Sequence, residues 1–316
     1  MALDYRKAKG IAYQGAALAA VLGVAWFLIS TTVANLEERR IASGFGFLQR
    51  EAGFEIGETF FLRYGAADSY LRALTVGLVN TLAVSAIGIV IATALGTLIG
   101  LLRLTRNFLL RTLAALYVEF VRNVPLLVQL FFWYALITEV LPHPRDALQP
   151  LPGVFLSNRG MVFPSFDSVP SLQGFNFTGG IGVSPEFATL LIGLGTYTAA
   201  FIAEIVRAGI LAVSRGQVEA AYAIGLTSGQ TTRLVVMPQA LRVIVPPLTS
   251  SFLNLVKNSS LAVAIGYPDL VSIANTTMNQ TGQAIEGIVT IMAVYLTISL
   301  SISALMNWYN ARIALR

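Results

Sequence analysis

Between Arg72 and Arg103 the chain runs for thirty residues without one Asp, Glu, Lys or Arg. As a helix, at about 1.5 Å per residue, that run exceeds what the ~30 Å hydrocarbon core of a bilayer needs, so it tilts or protrudes. Five more largely apolar runs are long enough to span: Ile11–Val33, Leu113–Leu141, Glu186–Ala212, Ala240–Ile265 and Glu286–Trp308. Charged residues make up 12% of the chain and hydrophobic ones 55%. A soluble domain carries roughly 25% charge. The expectation is an all-α polytopic membrane protein with six transmembrane helices.

The first run competes with a secretory signal peptide, since Thr32-Val33-Ala34 loosely suits a cleavage site. Its apolar stretch is too long for an h-region of roughly 7–15 residues, which favours an uncleaved span. Residues 1–71 then comprise this helix and a polar stretch, Asn35–Tyr70, expected to be loop or short amphipathic helix without a core of its own. Residues 72–316 hold the other spans. Within them Pro142–Pro185 is rich in Pro, Gly, Ser and Asn and reads as loop. Pro246-Pro247 should break the fifth span. No internal repeat or low-complexity tract is visible. With both termini and the 214–238 loop in the cytoplasm, the inside segments carry twelve Lys and Arg and the outside segments seven. The positive-inside rule favours that placement, and only an even number of spans puts both ends on one side.

Composition removes several function classes. The absence of Cys excludes disulfides, thiolate metal sites and Cys nucleophiles. The single His, His143, stands between two prolines in a loop and cannot form a His-based metal cluster. There is no Ser/His/Asp set and no GxxxxGK[ST] phosphate loop. A catalytic membrane enzyme is therefore not expected. The net charge of +5 is read from its placement along the membrane rather than as a nucleic-acid footprint.

Charges inside spans are costly and usually functional. Glu119 and Arg122, in YVEFVRNVPLLVQLFF, are three apart and can pair on one helix face. Pro125, just beyond, should free a backbone carbonyl. Glu204 and Arg207 repeat the spacing in YTAAFIAEIVRAGI. Each pair is either a neutralised structural ion pair near the interface or part of a gate. Lys257 stands about fifteen residues into its span, ~22 Å deep if helical, among Asn254, Asn258, Ser259 and Ser260. An ammonium there either meets a carboxylate or pins one helix to its neighbour, and pinning is the favoured reading. Lys257, Asn254, Asn258, Ser259, Glu119 and Gln129 together make the candidate substrate pathway.

Val218–Pro238, reading VEAAYAIGLTSGQTTRLVVMP, lies between apolar segments and is too polar for a bilayer. Glu219 is a lone acid among Arg215, Arg233 and Arg242. Ala220 and Ala221 let a partner approach the backbone, Gly225 permits a turn that a Cβ would resist, and Pro238 closes the run. An ordinary amphipathic loop helix is the alternative. The spacing resembles the EAA loop of ABC importer permeases. EFVRNVPLLVQLFFWY, TAAFIAEIVRAGI, GQVEAAYAIGLT, MPQALRVIVPPL and LVKNSSLAVAIGYPDL occur in that order over roughly Thr75–Arg316. Together they resemble the polar amino-acid uptake permeases of the ABC class. The long first loop and the 142–185 insertion resemble the general L-amino-acid subgroup.

The resemblance implies a type I ABC importer permease architecture in a bacterial inner membrane. A five-span core lies over 72–316, the 1–71 segment is added, and 214–238 is a cytoplasmic coupling loop. Glu219, Ala220, Ala221, Gly225 and Pro238 would then couple to an ATPase. The implied partners are membrane lipid, a second permease subunit (related or identical), two ATPase subunits and an extracytoplasmic amino-acid-binding protein, with no nucleic acid. No cofactor is expected in this chain, since ATP and Mg would sit in the ATPase. The rival class is an ion-coupled secondary transporter of small polar solutes, which Lys257 and the Pro246-Pro247 break would fit.

Overall fold

The computed structural model describes residues 2–38, 43–59, 61–165 and 167–314. Arg39, Arg40 and Arg316 of the charge count, and the two chain ends, lie outside the described residues. The helices in chain order are α1 (Ala2–Glu38), α2 (Tyr70–Leu102), α3 (Phe108–Asn123), α4 (Leu126–Ala135, prolonged by a π turn to Val140) and α5 (Pro185–Leu211). They continue with α6 (Arg215–Ala223), α7 (Ser228–Thr231), α8 (Met237–Asn258), α9 (Leu270–Thr281) and α10 (Ala284–Ala314). Among the described residues four helices are long and apolar enough to cross a bilayer: Ala12–Asn35 of α1, all of α2, all of α5, and Ala284–Arg312 of α10.

α3 and α4 together would make a fifth span, but they meet at a bend of 104°. The stretch Leu113–Leu141 is therefore not one straight helix. Val124, forced out of the helical region by the proline that follows it, is extended at φ −96°, ψ 126°. Pro125 has no N–H to give the Val121 carbonyl four residues back. Gln129 takes up the loss: its Nε2 donates to the carbonyl oxygens of Val121 and Val124, both at 2.9 Å. The amide reads as a stitch across the bend, with both of its donors spent on backbone.

The expected break at Pro246-Pro247 is absent. α8 runs through both prolines, and the carbonyls they deprive of partners belong to Arg242 and Val243, on the exposed side of the helix. The helix changes instead at Ser259, tightening into a 3-10 turn over Ser259–Ile265 that ends at Gly266 in the left-handed region.

α5 is the centre of the bundle, and α2 is its main neighbour. Gly195 receives Ile91, Gly96 lies against Ala199 and Ile202, and Gly100 lies against Ala203 and Val206. Residue numbers rise together along the contact, so the two helices are parallel. A Cβ on Gly96 would stand 2.7 Å from Ile202 Cβ and 2.8 Å from the Ala199 carbonyl oxygen. Lipid gives helices no hydrophobic reason to associate, so close backbone approach through small residues does that work.

Two segments gather at the end where α2 and α5 begin. Phe47, Ala52 and Ile56 of the first loop are buried against Tyr70 and Leu74 of α2 and Leu270 and Ile273 of α9. This loop shares the bundle's core, as expected of a segment without its own. The 142–185 insertion departs from the all-α expectation. β1 (Leu148–Leu151), β2 (Val154–Ser157), β3 (Gly160–Phe163) and β6 (Ile181–Val183) form an antiparallel sheet in the order β1-β2-β3-β6. β4 (Ser171–Gln173) and β5 (Asn176–Thr178) form a separate ribbon, joined to the sheet by Phe155 stacked on Phe177 at 4.5 Å. The Pro, Gly and Asn that read as loop are the hairpin turns: Pro152-Gly153 joins β1 to β2, and Asn158-Arg159 joins β2 to β3.

Candidate coupling loop and polar helix face

The loop after α5 is a helical corner. α6 ends at Ala223, and Gly225 turns left-handed at φ +86°. The Gly225 N–H donates to the Tyr222 carbonyl at 2.9 Å, and the Leu226 N–H reaches back to the Ala221 carbonyl at 3.1 Å. This crossed pair of bonds is a Schellman cap, in which the left-handed position favours glycine. Two residues later a new helix starts. Thr227 Oγ1 accepts the Gln230 N–H while Gln230 Oε1 accepts the Thr227 N–H at 2.9 Å, a reciprocal capping box. Thr227 and Gln230 were missed in the sequence reading, although Thr-Ser-Gly-Gln carries the capping-box spacing.

The five loop residues do not share one environment. Glu219, Ala220, Gly225 and Pro238 are exposed, and Ala221 is buried at 4% exposure. Only Ala220 of the alanine pair leaves room for an outside partner; Ala221 leaves room for the chain itself. Glu219 has no side-chain hydrogen bond or ion pair among the described residues. Near it Tyr222 and Ile224 are open to solvent, Ile224 at 78%, and these too the sequence reading passed over. Pro238 closes nothing. It sits in the first turn of α8, after a π turn over Thr232–Val236 that carries the path directly from α7. Proline suits a first turn, where its missing N–H costs no helical bond.

Of the two expected ion pairs only one forms. Glu119 and Arg122 are exposed and unpaired with each other, and Arg122 lies over the Phe201 ring of α5 at 5.0 Å. Glu204 and Arg207 do pair, with Arg207 Nε donating to Glu204 Oε2 at 3.1 Å and Nη2 to Oε1 at 2.5 Å. A third member comes from α2: Arg103 Nη1 donates to Glu204 Oε2. Spacing could not reveal it, since Arg103 is 101 residues away in sequence.

The residues around Lys257 divide. Ser259 is buried and donates to the Val256 carbonyl at 2.8 Å, while Asn258 is half-buried. Lys257 and Asn254 point out of the chain. The expected buried ammonium is thus an exposed one, without an ion pair among the described residues. Lys257 pins no helix among the described residues. It ends a face of α8 on which Arg242, Pro246, Pro247, Ser250, Asn254 and Lys257 are all exposed. Two cations, two prolines, a hydroxyl and an amide make a poor lipid surface.

The chain as a whole is similar to known proteins. Residues 85–315 match the model of the binding-protein-dependent transport system inner membrane component family. The putative amino-acid ABC transporter permease protein YhdX of Escherichia coli K12 is 46% identical, over 96% of this chain and 93% of its own. The general L-amino acid transport system permease protein AapQ of Rhizobium johnstonii is 42% identical, over 98% of this chain and 93% of its own. A solved chain described as an amino acid ABC transporter with histidines superposes with a TM-score of 0.58 at 28% identity, covering 77% of this chain and 95% of that one. The chain is a membrane-spanning permease of the ABC class. It belongs to the binding-protein-dependent transport system inner membrane component family, and the ion-coupled carrier reading is set aside.

Proposed function

We propose that this chain is one permease subunit of an ATP-driven importer of polar L-amino acids in a bacterial inner membrane. The observation that carries the reading is the exposed corner of α6 and α7, with an unpaired Glu219 beside the open Tyr222 and Ile224. It is the kind of surface a separate ATPase subunit would grip. The names of YhdX and AapQ support amino acids as cargo. The complex would hold a second permease subunit, two ATPase subunits carrying ATP and Mg, and an extracytoplasmic amino-acid-binding protein, with no cofactor in this chain. The exposed face of α8, with Asn254 and Lys257, would line the substrate path opposite the second permease. Residues 72–316 form the core and 1–71 the addition, a division in keeping with a solved chain that is 95% covered by 77% of this one. α8 is the fifth of six spans in this reading and α10 the sixth, both termini lie in the cytoplasm, and the insertion lies outside.

Two variants test the coupling role. Glu219→Arg places a cation where the partner expects a carboxylate, and like charges in a contact cost several kcal/mol. Gly225→Val forces a β-branched residue to φ +86°, a strain on the order of 1–3 kcal/mol. Both should reach the membrane in normal amounts and lose uptake together with co-purifying ATPase. Wild-type uptake in both would overturn the assignment. Orientation is tested separately with a membrane-impermeant thiol label. Asp167→Cys should react in intact cells and Ser228→Cys only after lysis, and the reverse pattern would invert the topology.

A further inference from the structure

The Arg103–Glu204–Arg207 cluster sits where the spans meet the corner. Glu204 lies seven residues before the end of α5 at Leu211, roughly 10 Å along the axis. α6 begins only four residues after that end. Arg103 caps the last turn of α2. At the same level Gly209 of α5 admits Ile244 of α8, whose side chain would lie 2.3 Å from a Cβ there. The two chain segments that enter and leave the corner, α5 and α8, are thus in contact with each other, and α2 is tied to α5 by charge.

We propose that Arg103 is a positioning residue for coupling: it makes the ends of α2 and α5 move as one body when the α6–α7 corner is displaced. The chemistry favours this over a contribution to stability. Glu204 is about 30% exposed and Arg103 17%, and partly exposed ion pairs add little to folding. Geometry is what the cluster supplies. Arg207 holds both carboxylate oxygens from within α5, which fixes the rotamer that Arg103 then meets from α2. A guanidinium fork defines direction as a lone ammonium does not. The apolar contact at Gly96 and Gly100 holds the helices close along their length. The charged clasp carries that tie to the last turn of α2, next to the corner. The inference rests on the importer reading above.

The test uses the complete complex, co-expressed with its ATPase, second permease and binding-protein genes and reconstituted in liposomes. Its readout is the ratio of solute imported to ATP hydrolysed, together with the thermal midpoint. A purely structural role lowers the amount of active complex and leaves that ratio unchanged. For Arg103→Gln the ratio should fall about tenfold, in the range of ordinary coupling between sites, with little change in midpoint. Arg103→Lys should recover part of it, and Glu204→Gln should match Arg103→Gln without adding to it in the double variant. A wild-type ratio in Arg103→Gln, or additive losses in the double variant, would overturn the proposal. Failure of the importer reading itself looks different: the wild-type complex would then show no ATP-dependent import.

Discussion

Gly96→Val should leave almost no folded protein in the membrane, while Gly88→Ala on the same helix should be close to wild type. The contrast comes from what each new Cβ meets. At Gly88 it would lie 3.5 Å and 3.6 Å from the two methyl ends of Leu255, ordinary contact with a flexible tip. At Gly96 it would lie 2.8 Å from the Ala199 carbonyl oxygen and 2.7 Å from Ile202 Cβ. Neither of those atoms can move without moving α5. Valine adds two more methyl groups and is stiff at χ1. Inserting methylene groups into a tight core costs about 1–3 kcal/mol where side chains can adjust. Here the helices themselves must separate, and Ile202, Ala203 and Val206, all buried, lose the packing that substitutes for hydrophobic association in lipid. The expected result is at least a tenfold drop in monodisperse membrane protein by fluorescence-detected gel filtration, equivalent to about 1.4 kcal/mol or more. Equal recovery of Gly96→Val and Gly88→Ala would show that the α2–α5 contact is not what holds the bundle together.

What the sequence revealed of this fold follows the range of the forces involved. Spans were legible because desolvating a charge is costly at every residue, so the thirty-residue gap before Arg103 maps onto α2 almost to the residue. The corner at Gly225 was legible because a left-handed residue and its cap are local. The freed carbonyl at Pro125 was also local, but its partner Gln129 was assigned elsewhere, because side-chain reach across a bend depends on the bend angle. The sheet in the insertion was hidden for another reason. Its strands are three or four residues long, too short for alternation to show, so only their turns were visible. Arg103 could not be paired with Glu204 before the parallel packing of α2 and α5 was known. Lys257 is the instructive error. Depth along a helix is a matter of counting, whereas the side it faces depends on which neighbours occupy the others, and in this chain α8 leaves that face open.

The end of the bundle where α2 begins carries a pH dependence of the opposite sign to that of most carboxylates. Asp269 caps α9, its Oδ1 accepting the Ser272 N–H at 2.8 Å, and is 1% exposed. Its Oδ2 has no partner among the described residues. Burial raises the Asp269 pKa from its ordinary 3.8 to about 7, with the cap hydrogen bonds working against the rise. Burial raises that of the neighbouring Tyr267 phenol as well, and the Glu58 and Asp269 charges add to it. The folded state therefore binds the Asp269 proton more tightly than the unfolded state does. Its contribution to stability is complete below the unfolded pKa and is lost as pH rises through about 7. Between pH 5 and pH 8.5 that loss is on the order of 2–3 kcal/mol. Asp269→Asn keeps a carbonyl oxygen for the Ser272 cap and removes the titration. Glu58, whose carboxyl burial also pushes up, is the competing source, so Glu58→Gln is the control. In detergent melts the wild type and Glu58→Gln should lose several degrees of midpoint from pH 5 to pH 8.5, and Asp269→Asn should be nearly flat and the most stable of the three at pH 8.5. A parallel decline in Asp269→Asn would place the titration elsewhere and leave Asp269 as a helix cap alone.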